Sequence, residues 1–164
     1  IWIRPVPNEA HHFSLRAALR ELSMLIENGM SKSEFEVTRK FLKNYVLHYA
    51  PSQSAQLGYA VDDAFYGIKG SHLEMFRQMM DTITLEEVNA AIKKHLQMKA
   101  MKIVFITENG EELAAQLAAN TSSPITYTSP KSQEILDEDK IIADYKLNFK
   151  KEKILVLPVE DLFK

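Results

Sequence analysis

Glu27-Asn28-Gly29-Met30-Ser31-Lys32-Ser33-Glu34-Phe35 decides how this chain is organised. Glycine supplies the left-handed residue that ends one helix. Two positions later, Ser31-x-x-Glu34 is a capping box that starts the next. Ahead of the glycine, Asn8 can cap a helix running to Asn28, with Leu15, Leu19, Leu22 and Ile26 on one stripe. Behind it Phe35, Thr38, Leu42, Tyr45 and Tyr49 recur at steps of three and four, sharing a face until Pro51 breaks the helix. The stretch reads as the tight turn of a helical hairpin.

The same punctuation recurs downstream. Leu57, Val61 and Phe65 lie at four-residue steps in a third helix that ends near Tyr66-Gly67. Ser71-x-x-Glu74 opens a short helix carrying Leu73, Phe76 and Met80, and Thr84-x-x-Glu87 opens one that buries Val88, Ile92 and Leu96. Strands are expected on either side of this helical block. Residues 1–6 alternate before meeting Pro5 and Pro7, and residues 101–107 are mostly β-branched and apolar. Glu108-Asn109-Gly110 then turns the chain into an Ala-rich helix over 111–119, stopped near Asn120.

Composition shifts after Asn120. Residues 121–132 are rich in Ser, Thr and Pro around a strand-like Ile125-Thr126-Tyr127. An acidic run (134–139), an apolar one (141–145), a lysine-rich one (146–153) and a last apolar one (154–159) follow. We divide the sequence into a domain over 1–120 and a C-terminal extension over 121–164 that packs on the domain or on a neighbour.

The chain has 164 residues, 46% apolar and 26% charged, which suits one globular domain. A net charge of −2, from 20 basic and 22 acidic residues, gives no long-range pull toward nucleic acid or an anionic membrane. No stretch approaches the ~20 apolar residues of a membrane span. Without cysteine there is neither disulfide nor thiolate, which suits the bacterial cytoplasm or periplasm equally. Ile1-Trp2-Ile3-Arg4 shows no initiator methionine and no signal-peptide pattern, so a segment of a longer protein is expected.

Catalytic patterns are scarce. None of His11, His12, His48, His72 or His95 belongs to a His-x-x-Glu-His motif or an i, i+4 histidine pair, so these side chains are expected at the surface or at helix ends. Asp62 and Asp63 are adjacent on a helix and diverge by about 100°, so they are expected on a solvated face. There is no Gly-x-Ser-x-Gly elbow and no Gly-rich phosphate loop. Lys146, Lys150, Lys151 and Lys153, with Tyr145 and Phe149, could form a small nucleic-acid patch, but Glu152 interrupts it and solvated lysines are expected. Met79, Met80, Met98 and Met101 lie near apolar stripes and are expected as core filler.

The order of these elements resembles the second, non-catalytic domain of the pitrilysin/insulinase-like zinc metallopeptidases, a family that includes the mitochondrial processing peptidases. The likeness rests on residues 19–42 around Gly29, on 57–67 and on 83–106, and covers roughly residues 1–107 by its motif spacings. It implies an α+β fold, a mostly antiparallel sheet with helices packed on one face. It further implies a segment with no catalytic, metal or cofactor residue of its own and with no assigned substrate-binding residue. Such a segment would complete a peptide-binding chamber opposite an upstream zinc-bearing domain, in the same protein or in a partner chain. Zinc and its His-x-x-Glu-His motif are expected in that upstream domain, and peptide substrate is the expected partner, with no nucleic acid and no membrane span.

In this family a substrate-binding tyrosine follows a Leu-Gly pair, with an arginine seven residues earlier. Gln56-Leu57-Gly58-Tyr59 has Ser52 at that place and lies inside a helix, so the likeness is treated as chance. The competing class is an inactive homologue or a helical scaffold serving protein–protein assembly.

Overall fold

The computed structural model describes residues 1–161. Helix covers 62% of them, and none lies in a strand. The elements in order are α1 (His11–Asn28), α2 (Lys32–Tyr45), α3 (Gln53–Phe65), α4 (His72–Thr82), α5 (Leu85–His95), α6 (Gly110–Ala119) and α7 (Gln133–Ala143). Short 3-10 turns stand at Asn8–Ala10, Val46–His48, Lys151–Lys153 and Val159–Asp161. The chain divides into two compact units, Leu25–Gln97 and the combination of Ile1–Met24 with Met98–Lys164.

In the unit Leu25–Gln97 the hairpin forms as its punctuation requires. Gly29 sits at φ +70°, and Ser31 accepts the Glu34 N–H at 3.2 Å while Glu34 accepts the Ser31 N–H at 2.7 Å. Hydrogen bonds to its anion from the Ser31 hydroxyl and then from the Ser31 backbone N–H hold the Glu34 carboxyl below its ordinary value. Thr84 and Glu87 repeat the arrangement at α5. At α4 the box is half made, because Ser71 caps Glu74 but the Glu74 carboxylate turns to Arg77 and Gln78. One clasp ties the hairpin turn to α5. The Asn89 side chain accepts from Met30 N–H at 2.8 Å and donates to Met30 C=O at 3.1 Å, as a neighbouring strand would.

The faces of α2 and α3 differ from their sequence patterns. On α2, which packs on α4, the covered positions are Phe35, Arg39, Leu42, Lys43 and Val46, and Thr38, Tyr45 and Tyr49 lie outside. Arg39 explains the turn of the helix, since it reaches the Met80 carbonyl and lies over the Phe35 ring. On α3 the covered row is Ala55, Tyr59 and Asp63, and the apolar row Leu57, Val61 and Phe65 is exposed. A buried polar bond from Asp63 outweighs the burial of that apolar row, as described below.

The second unit has its core between α1 and α6, where Leu15 and Leu19 meet Leu113 and Leu117. Met101, Phe105, Tyr145, Leu147, Phe149 and Ile154 lean on this cluster. A satellite cluster joins Phe13 to Ile142 and Ala143 of α7. That helix forms in the acidic run, capped by Ser132, where no helix was expected from the sequence.

Among the described residues the expected antiparallel sheet is not there. Residues 101–107 alternate as a strand would, with Met101, Phe105 and Thr107 covered, Lys102, Val104 and Ile106 outward and Ile103 at the margin. Yet among the described residues none of the seven makes a backbone hydrogen bond. Residues 1–6 are exposed throughout, and Pro5 removes a donor that a ladder would need. Asn148, at φ +54°, departs from strand backbone in the run that follows α7, although covered and exposed positions alternate from 145 to 150. Residues 101–107 cover one face on helices, residues 1–6 cover neither, and among the described residues both leave their backbones unpaired, so the fold is all-α rather than α+β.

Candidate functional site

Arg16 is the one large side chain that is completely buried among the described residues. It sits one step off the Leu15–Leu19 stripe of α1, where apolar neighbours on both sides force it inward. Its guanidinium donates to the carbonyls of Ala143 and of Thr121, the latter at 2.7 Å, and to Asn120 Oδ1 at 3.4 Å. Burial depresses its pKa against the opposing pull of Asp144. One cation thereby ties α1 to the ends of α6 and α7.

His12 stands one turn before Arg16, where Nε2 accepts from Arg16 Nε at 3.3 Å. Burial first, then the charges of Arg16 and His11, bring its pKa down to about 4, against a side-chain bond to Gln116. Gln116 in turn donates to Glu112 Oε1 at 3.1 Å. His12, Gln116 and Glu112 of this network line a cavity of about 320 Å³, which His11, Asn109 and Ser123 also line, with Arg16 buried behind them. This network positions and holds. It has no nucleophile paired with a base.

The titration of His12 gives a testable consequence. The unfolded chain takes up its proton near pH 6.5 and the folded one near pH 4, so within that window the unfolded chain binds more. Stability from this group is therefore complete above about pH 6.5 and is lost as pH falls toward 4. The expected loss is roughly 1–3 kcal/mol. Urea unfolding between pH 7 and pH 4 should show this slope, and His12→Gln should flatten it. An equal slope in the variant would remove the assignment to His12.

The other unit holds a second polar cluster. Asp63 is buried on α3, and its Oδ1 lies 2.5 Å from His72 Nδ1. Both its oxygens stand 3.4 Å from the His72 backbone N–H, so Asp63 also helps cap α4. The Tyr59 ring meets His72 edge-on at 5.3 Å. Asp62, by contrast, is exposed. The solvated pair expected at 62 and 63 is thus one solvated acid and one structural acid.

The remaining weighed residues separate widely. His48 lies exposed in the turn after α2 with its ring 5.9 Å from Tyr45, and His95 is exposed as the last residue of α5. His11 packs edge-on against Phe105 at 6.3 Å. His12, at the start of α1, is buried, and His72, the first residue of α4, is half-buried. Ser52, seven residues before Tyr59, is the N-cap of α3 and accepts from Ala55 N–H. Lys146 and Lys150 are exposed, while Tyr145 and Phe149 turn inward. Met80, Met98 and Met101 are covered to differing degrees and Met79 is largely exposed.

No three of the described His, Asp and Glu side chains stand close enough to share a metal ion. Among the described residues no helix is long and apolar enough to cross a membrane. Comparisons with protein families, with curated proteins and with solved structures find no match.

Sequence reasoning missed Arg16 altogether and misplaced His12 and Asp63. The signal for the first two was present as a His–Arg pair at i, i+4 beside a leucine stripe. Nothing local distinguishes Asp63 from Asp62, because only the position of His72 does so.

Proposed function

We propose that this chain is a non-catalytic, polypeptide-binding segment in which residues 101–107 receive a peptide edge to edge. One observation carries the reading. The stretch alternates like a strand, has apolar side chains on both faces and is covered on only one, with Val104 87% and Ile106 97% exposed. Its backbone makes no hydrogen bond among the described residues. A row of unpaired N–H and C=O groups beside exposed β-branched side chains is what a partner strand completes. Pairing would satisfy the ladder and bury the outward side chains in a single event.

Within the zinc-peptidase resemblance, the partner is a peptide substrate held opposite an upstream zinc-bearing domain. The second reading, an inactive homologue or helical scaffold used in assembly, is favoured by the all-helical content and by the open row Leu57–Val61–Phe65. In that case the strand comes from a neighbouring protein. The two readings separate on whether short free peptides bind.

Hydrogen exchange tests the proposal directly. Amides of 102–107 should exchange rapidly in the free chain and become protected when a peptide of alternating Ser and Val, about six residues long, is added. Val104→Pro removes a donor at an exposed position and should weaken binding by about tenfold or more. Protection appearing elsewhere, with 102–107 unchanged, would count against this edge.

A further inference from the structure

We infer that the cavity bounded by the start of α1, α6 and residues 121–124 takes a small amino alcohol, its ammonium held by Glu9 and Glu112 and its hydroxyl by Ser123. The inference is independent of the docking at residues 101–107. The cavity, of about 320 Å³, lies wholly within the unit Ile1–Met24 with Met98–Lys164, and its volume is at the small end of the range for ligand sites.

Its wall has a covered, uncharged part and an open, charged part. His12 and Ser123 are 4% and 8% exposed, and His12, with a pKa of about 4, is neutral at pH 7. The Ser123 hydroxyl has no hydrogen-bond partner among the described residues, and neither has Nδ1 of His11. A covered hydroxyl without a partner is costly, and a ligand that bonds to it removes the cost. Glu9 and Glu112 are exposed on the same wall, and no lysine or arginine lines it. Gln116 donates to Oε1 of Glu112 and steadies that carboxylate, leaving Oε2 without a bond among the described residues.

Two cationic features stand near, and neither decides the ligand. Arg16 is buried behind the wall, with its guanidinium committed to the carbonyls of Ala143 and Thr121 and faced by the charge of Asp144. The N-terminus of α6 reaches the cavity through Asn109 and by itself would draw an anion. Its first turn already carries Glu111 and Glu112, which answer that dipole. The charges open to a ligand are therefore carboxylates. A primary ammonium needs only two or three separate acceptors, whereas a metal ion needs three convergent ligands that the described His, Asp and Glu side chains do not form.

Heteronuclear NMR of the full 164-residue chain tests the inference with aminopropanol, propanediol and hydroxypropanoate, each with its two groups at the chain ends. Aminopropanol should shift the amides of Ser123 and Gln116 saturably, with Kd on the order of 1–10 mM, a range open to so small a ligand. Propanediol lacks the charge-assisted bond and should bind about tenfold more weakly, and hydroxypropanoate more weakly still. Glu112→Gln keeps the shape at an exposed position and should cut the advantage over propanediol to about threefold or less. Ser123→Ala removes a hydroxyl that has no partner, so the fold should hold while aminopropanol weakens about threefold.

Equal affinity for aminopropanol and propanediol would overturn the ammonium assignment. Tighter binding of hydroxypropanoate would also overturn it, giving the cavity to the α6 N-terminus instead. Shifts at exposed acids such as Glu134 of α7 with Ser123 unmoved, or no saturable shift from any probe, would remove the site.

Discussion

Arg16→Ala is expected to lower stability by about 3 kcal/mol, the largest effect of any single exposed or buried charge in the chain. The substitution takes the guanidinium away from the Thr121 carbonyl, whereas the Ala143 carbonyl keeps the Ser123 N–H at 3.1 Å. The lost charge-assisted bonds and the space left by the buried side chain each cost about 1–3 kcal/mol, and relief of the buried charge offsets part of that sum. Asn120 Oδ1 is spared because it still accepts from Leu147 N–H at 3.1 Å. Arg16→Lys should recover less than half of the loss, since an ammonium cannot reproduce the planar fork. Urea midpoints followed by circular dichroism give the comparison. A lysine variant as stable as the parent would mean that charge alone, and not the fork, holds these ends together.

Gly29→Val should cost about 2–4 kcal/mol for two separate reasons. The backbone there is left-handed, which a β-branched residue resists. In addition, any Cβ at this position would stand 2.7 Å from the Asn89 carboxamide. The clasp on Met30 would open, leaving its N–H and C=O without those partners. Asn89→Ala separates the two contributions, because it breaks the clasp without straining the turn. If both variants unfold at the parent's midpoint, the hairpin turn does not anchor this unit.

Local chemistry was the legible part of this fold. Gly29, Ser31 with Glu34, and Thr84 with Glu87 could be read from a few neighbouring residues, because caps and turns are satisfied within one turn of chain. The helix faces were less legible. Leu57, Val61 and Phe65 have the right period, but periodicity says only that a stripe exists and not which side meets a neighbour. The Asp63–His72 contact decides that question across a loop. Residues 101–107 have the composition of a strand, and composition cannot supply the second strand that a ladder requires. α7 was hidden by its acidic sequence, although Ser132 begins it in the ordinary way.

The candidate site fared worse for a related reason. Its anchoring residue is a cation buried beside leucines, a placement that single residues disfavour and only assembled carbonyl partners permit. Those partners lie more than a hundred positions away.

The Asn89 clasp links two positions that selection and design must treat as one. Position 29 admits no side chain while asparagine occupies 89, because the space a Cβ needs is already filled. Position 89, for its part, must offer a donor and an acceptor on one short stem to match both groups of Met30. Shortening residue 89 would free the space at 29 but would lose the bond pair, so an improved turn cannot be reached by one substitution at a time. Sequence variation at this hairpin is therefore expected to move in pairs.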